Sequence, residues 1–312
     1  MEQRIGRGLA ARLSASGAAA LVRPRSAEPL LRLTRPHQWV KNLFVAAPLF
    51  FTPAAVSTDS VLRVLAGIAC FCLLAGAVYV LNDYADREAD RMHPVKRDRP
   101  IASGAVAPAT ALVFLGGLLS VGTVASFALS TAFGALAALY FVQNLAYSLG
   151  LKNHSIVDVL VISLGFVLRV YAGAVLIGVT PSAWIIICAG LVALFLALAK
   201  RRDDLVRSLG DGHRKSLNGY TKPFLDTAVS IVLGALLVSY VIYTTDAEVM
   251  GRLGSHSLFL TIPFVVAGIF RYLQIVLVEE RSGSPTRIVL SDRFMIGSLV
   301  LWALSFVLLI YV

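Results

Sequence analysis

Only three cysteines occur in 312 residues, and Cys70, Cys72 and Cys188 all fall inside apolar runs. They form no disulfide framework and no CxxC metal spacing, and read as small core residues. Histidine is nearly as scarce. His37, His93, His154, His213 and His256 show no ligand spacing such as HExxH, so no histidine-built metal site is expected. There is no GxxxxGK[ST] loop and no GxSxG elbow, which leaves out P-loop chemistry and the hydrolase-type serine nucleophile. Charge is thin: 15% of residues against 57% apolar, with a mean hydropathy of +0.78. Soluble domains usually carry about 25% charged residues, so that class is excluded. Residues 1–29, rich in Arg, Ala and Ser, lack the apolar core of a secretory signal and read as a basic, disordered cytoplasmic tail at the membrane surface.

What is present is a series of apolar runs long enough for lipid. Nine candidate spans lie at about 38–56, 61–82, 108–128, 131–148, 155–178, 182–199, 224–243, 257–278 and 293–312. Each approaches the roughly 20 residues that a hydrocarbon core about 30 Å thick requires. The expected class is an all-α polytopic membrane protein, with one helical domain over 30–312. The first span is interrupted by Pro48 and Pro53. Of 28 Lys and Arg, 23 fall in the tail through Lys41 and in the loops after spans 2, 4, 6 and 8. That asymmetry puts the N-terminus and the chemically rich loops in the cytoplasm and the C-terminus outside the inner membrane. The net charge of +10 then reflects topology and anionic lipid rather than nucleic acid.

One acidic stretch organises the chain. Asn82 to Asp90 reads NDYADREAD, between an apolar run and the basic run RMHPVKRDRP. If the helix of the apolar run continues through it, Asp83, Asp86 and Asp90 share a face at i, i+3 and i+7, with Asn82 on the flank. Three carboxylates on one face repel each other unless a cation sits among them. Carboxylate and amide oxygens suit Mg²⁺, which takes one or two protein carboxylates and fills its other positions with water and phosphate. A solvated loop at a membrane edge is the plainer reading, but it leaves the helical spacing beside a basic cluster unexplained.

Cations gather around this stretch. HPVKRDRPIASG supplies Lys96, Arg97 and Arg99, either as phosphate grips or as topological anchors. RPHQWVKN places Arg35, Lys41 and Asn42 at the start of span 1, with Trp39 as an interfacial anchor. YSLGLKNHSIVD places Tyr147, Lys152 and Asp158 around a short turn. Asp158 lies just inside span 5, where a charge needs a partner, and Lys152 is the nearest in sequence. Arg169, deeper in that span, is expected to pair with Asp158 or to bind substrate. After span 6, Lys200, Asp203, Asp204 and Arg207 fall at i, i+3, i+4 and i+7. Two polar helix ends are thus expected to meet one ligand from opposite sides.

NDxxDxxxD after the second span, RPIxSG beyond it, the YS…LK turn and the acidic motif after the sixth span together resemble the UbiA superfamily of intramembrane prenyltransferases. The likeness runs from about Leu31 to the end. It implies a ring of nine helices whose central cavity opens to the cytoplasm and sideways to lipid, with two acidic motifs holding Mg²⁺ against a diphosphate. One departure stands out: the family's second motif is DxxxD, whereas Lys200 to Asp204 read KRRDD. With Lys in first place, direct cationic contacts take over part of the phosphate binding. Together with RPHQWVKN and LKNHSIVDV, this pattern is similar to the branch that moves phosphoribose from phosphoribosyl pyrophosphate to decaprenyl phosphate, for cell-wall arabinan. The resemblance implies Asn82, Asp83, Asp86 and Asp90 as the metal and pyrophosphate set, with Asp83, Asp86, Asp90 and Asp204 as the catalytic carboxylates. Tyr147, Lys152, Lys200, Arg201 and Asp204 then close the other side. Lys41, Lys96, Arg97 and Arg99 serve the ribose 5-phosphate or the acceptor phosphate. The alternative is a prenyltransferase acting on an aromatic or quinone-precursor acceptor; a homo-oligomer is compatible with either. A transporter for a phosphorylated solute is disfavoured, because the opposite loops are short and nearly uncharged.

Overall fold

The computed structural model describes residues 27–94, 96–207, 215–281 and 285–311; most of the basic tail therefore lies outside the described residues, as does the Ser208–Asp211 end of the second acidic segment. Among the described residues there is no strand. A short α1 (Glu28–Leu33) leads into a 3₁₀ segment (Pro36–Ala46) and α2 (Ala47–Phe50). There follow α3 (Thr58–Ala85), α4 (Arg87–Met92), α5 (Pro108–Leu129), α6 (Thr131–Leu149), α7 (Val157–Leu176), α8 (Ala183–Arg207) and α9 (Lys222–Thr245). The chain ends with α10 (Ala247–Leu253), α11 (Ile262–Leu273), α12 (Pro285–Ser291) and α13 (Arg293–Tyr311).

Eight helices among the described residues are long and apolar enough to cross a bilayer. The protein is a polytopic membrane protein. The first expected span is the one that differs. Pro36 and Pro48 open its two pieces and Pro53 follows them; each removes an N–H and crowds the preceding turn, so no long α-helix forms. The 3₁₀ rise compensates: 11 residues at about 2.0 Å and four at about 1.5 Å reach about 28 Å, close to the core thickness. This thin segment packs between α3 and α7. At Gly173 of α7 the approach is so close that a methyl group would overlap the Val45 carbonyl.

Successive helices pack as neighbours, α3 on α5, α5 on α6, α6 on α7, α7 on α8, α8 on α9 and α11 on α13. The circuit closes where Phe306 of α13 stacks on Phe50 and meets Phe51 edge-on, and where Tyr311 donates to the Phe50 carbonyl at 2.9 Å. α3 and α7 are the most enclosed spans and α5 is the least. The chemistry sits at one end of those two enclosed helices.

Candidate active site

The acidic motif does not continue α3 as one straight helix. α3 ends at Ala85, and Asp86 is the joint, with φ −88° and ψ 1°, before α4. The Asp86 N–H still bonds to the Asn82 carbonyl (2.9 Å) and the Asp90 N–H to the Asp86 carbonyl (2.8 Å). Helical hydrogen bonding therefore survives the bend, while the three carboxylates turn to different partners. Asp83 accepts from Arg35 Nη2 at 2.6 Å and from Arg99 Nη1 at 3.1 Å. Asp90 accepts from the same Arg99 Nη1 at 2.7 Å. Asp86 lies 3.5 Å from Lys152 Nζ.

Exposure separates their roles. The side chains of Asp83 and Asp90 are 3% and 4% exposed, that of Asp86 is 43% exposed. Asp86 is thus the most accessible of the three. Among the described residues no three carboxylate, imidazole or thiolate groups converge into a protein-only metal cage, since two of the acids face guanidinium groups. Mg²⁺ needs no such cage, because one or two protein oxygens suffice where phosphate supplies the rest. Asp86, with Asn82 one turn earlier, fits that smaller demand.

Arg99 is held by the turn after it. Ile101 is fully buried with Leu33, Val80, Val106 and Ala111, and Arg91 Nε donates to the Ala102 carbonyl at 3.3 Å. Lys96 and Arg97 lie on a short 3₁₀ turn and are exposed. Arg35 itself takes positive φ (50°) and lies over the Tyr79 ring at 5.0 Å.

The second motif divides its charges. Lys200 is exposed. The Arg201 side chain, only 2% exposed, donates through Nε to Asp158 at 2.6 Å, through Nη1 to Asp204 at 3.1 Å, and through Nη2 to Tyr147 at 3.5 Å. Arg202 pairs with Asp226 and donates to the Val276 carbonyl, and Arg207 holds Asp203 at 2.7 Å. The Arg201–Asp158 and Arg202–Asp226 pairs link different helices, whereas Arg207–Asp203 is an i,i+4 pair within α8.

Two pairings differ from the sequence reading. Asp158 is held by Arg201 and by the Tyr220 hydroxyl (2.8 Å), not by Lys152 or Arg169. Lys152 swings to Asp86 instead. Arg169 is buried against neutral groups, donating to Asn42 Oδ1 (2.9 Å), the Gly165 carbonyl and the Tyr140 hydroxyl (both 2.8 Å), with the Tyr140 ring 4.5 Å away. Among the described residues no carboxylate pairs with it. Lys41 is exposed. The two polar helix ends meet through the α6–α7 turn: Lys152 touches the first motif, and Tyr147 and Asp158 touch the second. Tyr220 carried no sequence signal, since it stands 62 residues from Asp158.

The UbiA prenyltransferase family model matches residues 42–297. The decaprenyl-phosphate phosphoribosyltransferase of Mycolicibacterium smegmatis is 34% identical over 278 residues, covering 85% of this chain and 86% of that protein. The enzyme of the same name from Corynebacterium glutamicum is 31% identical, covering 92% of this chain and 88% of that protein. A UbiA homolog from Archaeoglobus fulgidus, solved with DMAPP and Mg²⁺, superposes with a TM-score of 0.66 at 19% identity, over 91% of this chain and 99% of that one. That last likeness concerns the fold alone.

Proposed function

The chain belongs to the UbiA prenyltransferase family, and on that premise we propose that it transfers 5-phosphoribose from phosphoribosyl pyrophosphate to a polyprenyl phosphate, decaprenyl phosphate in the relatives. The carrying observation is the set of cations at the two polar helix ends: Lys152 lies beside Asp86 and Arg99 between Asp83 and Asp90 on the acidic side, with Lys200 and Arg201 on the second motif. Two phosphorylated substrates bound together need that positive charge; a prenyl diphosphate and a neutral aromatic acceptor do not. The similarity to two enzymes of that name over most of the chain supports the same reading.

In the reaction, an oxygen of the acceptor phosphate bonds to ribose C1 as the bond from C1 to pyrophosphate breaks, and pyrophosphate leaves with the electron pair. No general base is needed, because a phosphate monoester with a second pKa of about 6 is already largely dianionic at neutral pH. Asp86 and Asn82 would hold Mg²⁺, which when bound offsets charge on the departing pyrophosphate. Lys152 and Lys200 contact phosphate oxygens from the second side. Arg99, Arg35 and Arg201 keep Asp83, Asp90, Asp158 and Asp204 in place. Lys41 serves the acceptor phosphate, and the exposed Lys96 and Arg97 the ribose 5-phosphate or the acceptor headgroup. The site faces the cytoplasm, following the charge asymmetry of the loops, while the prenyl chain stays in the bilayer.

The test uses ribose-labelled phosphoribosyl pyrophosphate, decaprenyl phosphate, Mg²⁺ and the purified protein in detergent. Label should enter the organic phase only with lipid and metal together. Consumption of a labelled prenyl diphosphate with an aromatic acceptor, and no phosphoribosyl transfer, would overturn the proposal.

A further inference from the structure

We infer that Tyr220 is a positioning residue for the diphosphate-binding face, acting by holding the α6–α7 turn in a strained conformation. Ile156, at the centre of that turn, has φ 68° and ψ −51°, and the Val157 N–H bonds to the Ser155 carbonyl at 2.8 Å. These are the dihedrals and hydrogen bond of the positive-φ γ-turn, a rare form that is unfavourable for a β-branched residue. The Ile156 side chain is 53% exposed, so its own packing does not offset the strain. Such a conformation persists only where the surroundings over-determine it.

The restraint comes from residues 216–220, far along the chain. The Ile156 N–H donates to the Tyr220 hydroxyl at 2.5 Å, and that hydroxyl donates to Asp158 Oδ1 at 2.8 Å. Ser155 Oγ donates to the Ser216 carbonyl at 2.7 Å. Gly219 lies so close that a methyl group there would overlap Ser155 Oγ. Burial pushes the Tyr220 hydroxyl up to about 12, so it keeps its proton at neutral pH. The strained turn separates the two residues that matter. Lys152, four residues before Ile156, meets Asp86; Asp158, two residues after, holds Arg201 and through it Asp204. One hydroxyl thus sets the spacing between the two halves of the site. A γ-turn that relaxed to negative φ would move Lys152 relative to Arg201.

This inference takes the site from the proposed function but not the identity of the donor, so its test has a binding arm. Affinity for inorganic pyrophosphate in the presence of Mg²⁺ is measured by calorimetry, beside phosphoribosyl-transfer kinetics, for wild type, Tyr220→Phe, Ile156→Gly and the double variant. Tyr220→Phe should weaken pyrophosphate binding and lower kcat/KM for the donor about tenfold, the scale of one or two lost hydrogen bonds. Glycine takes positive φ without strain, so the double variant should recover to within about threefold of wild type. Ile156→Gly alone should bind at least as tightly as wild type. A purely structural role for Tyr220 would lower the thermal midpoint and gain nothing from the glycine. Unchanged pyrophosphate affinity in Tyr220→Phe, or a double variant no better than it, overturns the inference. A wild type that binds pyrophosphate but transfers no phosphoribose overturns the donor assignment instead, and the binding arm still decides the role of Tyr220.

Discussion

Arg99 Nη1 stands between two buried carboxylates, 2.7 Å from Asp90 Oδ2 and 3.1 Å from Asp83 Oδ1. A guanidinium therefore bridges the first and last acids of the motif and offsets their mutual repulsion. The middle acid, Asp86, stands outside this bridge, 3.5 Å from Lys152 Nζ and 43% exposed.

Arg99→Ala should accordingly cost stability as well as activity. Removing Arg99 leaves Asp83 with Arg35 and takes the guanidinium from the desolvated Asp90, at about 3 kcal/mol. Thermal unfolding in detergent reads this directly. Arg99→Lys should fall in between, because one ammonium spans two carboxylates less well than a guanidinium. A midpoint unchanged in Arg99→Ala would show that the bridge carries no stability.

Asp86→Ala should separate chemistry from folding. Its ion pair with Lys152 is long, at 3.5 Å, and only half-buried, so stability should change by less than about 0.5 kcal/mol. Turnover should fall by about 100-fold or more, the scale seen when a charge-positioning group leaves an active site. Full activity in this variant would remove the metal assignment.

Gly173→Ala should disturb the site from a distance. The added methyl group meets the Val45 carbonyl and pushes the 3₁₀ segment, with Asn42 and Lys41, away from α7. Overpacking of this kind costs about 1–3 kcal/mol. The thermal midpoint should fall, and the KM of the acceptor should rise. An unaltered midpoint would mean that the segment accommodates the methyl group freely.

Asp292 supplies a prediction in pH. Its carboxylate accepts from Arg271 Nη2 at 2.8 Å and caps α13 through the Met295 N–H at 3.0 Å. The Arg271 hydrogen bond is the main cause holding its pKa below the ordinary 3.8. A folded pKa below the unfolded one gives stability that is present above the ordinary value and lost as pH falls through the folded value. The midpoint gap between wild type and Asp292→Asn should therefore be constant from about pH 8 to 5 and shrink below about pH 4. A gap undiminished at pH 3 would overturn the assignment.

Much of the candidate site is legible in the linear sequence. NDYADREAD, the Lys in place of the first acid of the second motif, and Lys152 in a short turn all declare their chemistry by residue type and helical spacing. Other features were not legible. Asp86 joins α3 to α4 at φ −88° and ψ 1°, although the helical period of the sequence continues smoothly across it. Proximity in sequence favours Lys152 as the partner of Asp158, whereas α7 packs on α8 and brings Arg201 to it. The prolines of the first span announce a break, but not the 3₁₀ form of Pro36–Ala46 or its place between α3 and α7.

The sequence by itself determined the class of the protein, its apolar crossings and the chemical character of its polar helix ends. Apolar length and charge bias along a chain are what a bilayer reads, so no tertiary contact is needed to interpret them. Which cation meets which carboxylate was decided only by the tertiary structure. Arg35 reaches Asp83 across 48 residues, Arg201 reaches Asp158 across 43, and Tyr220 reaches Ile156 across 64. A short side chain selects among several possible partners only after the helices carrying them have packed.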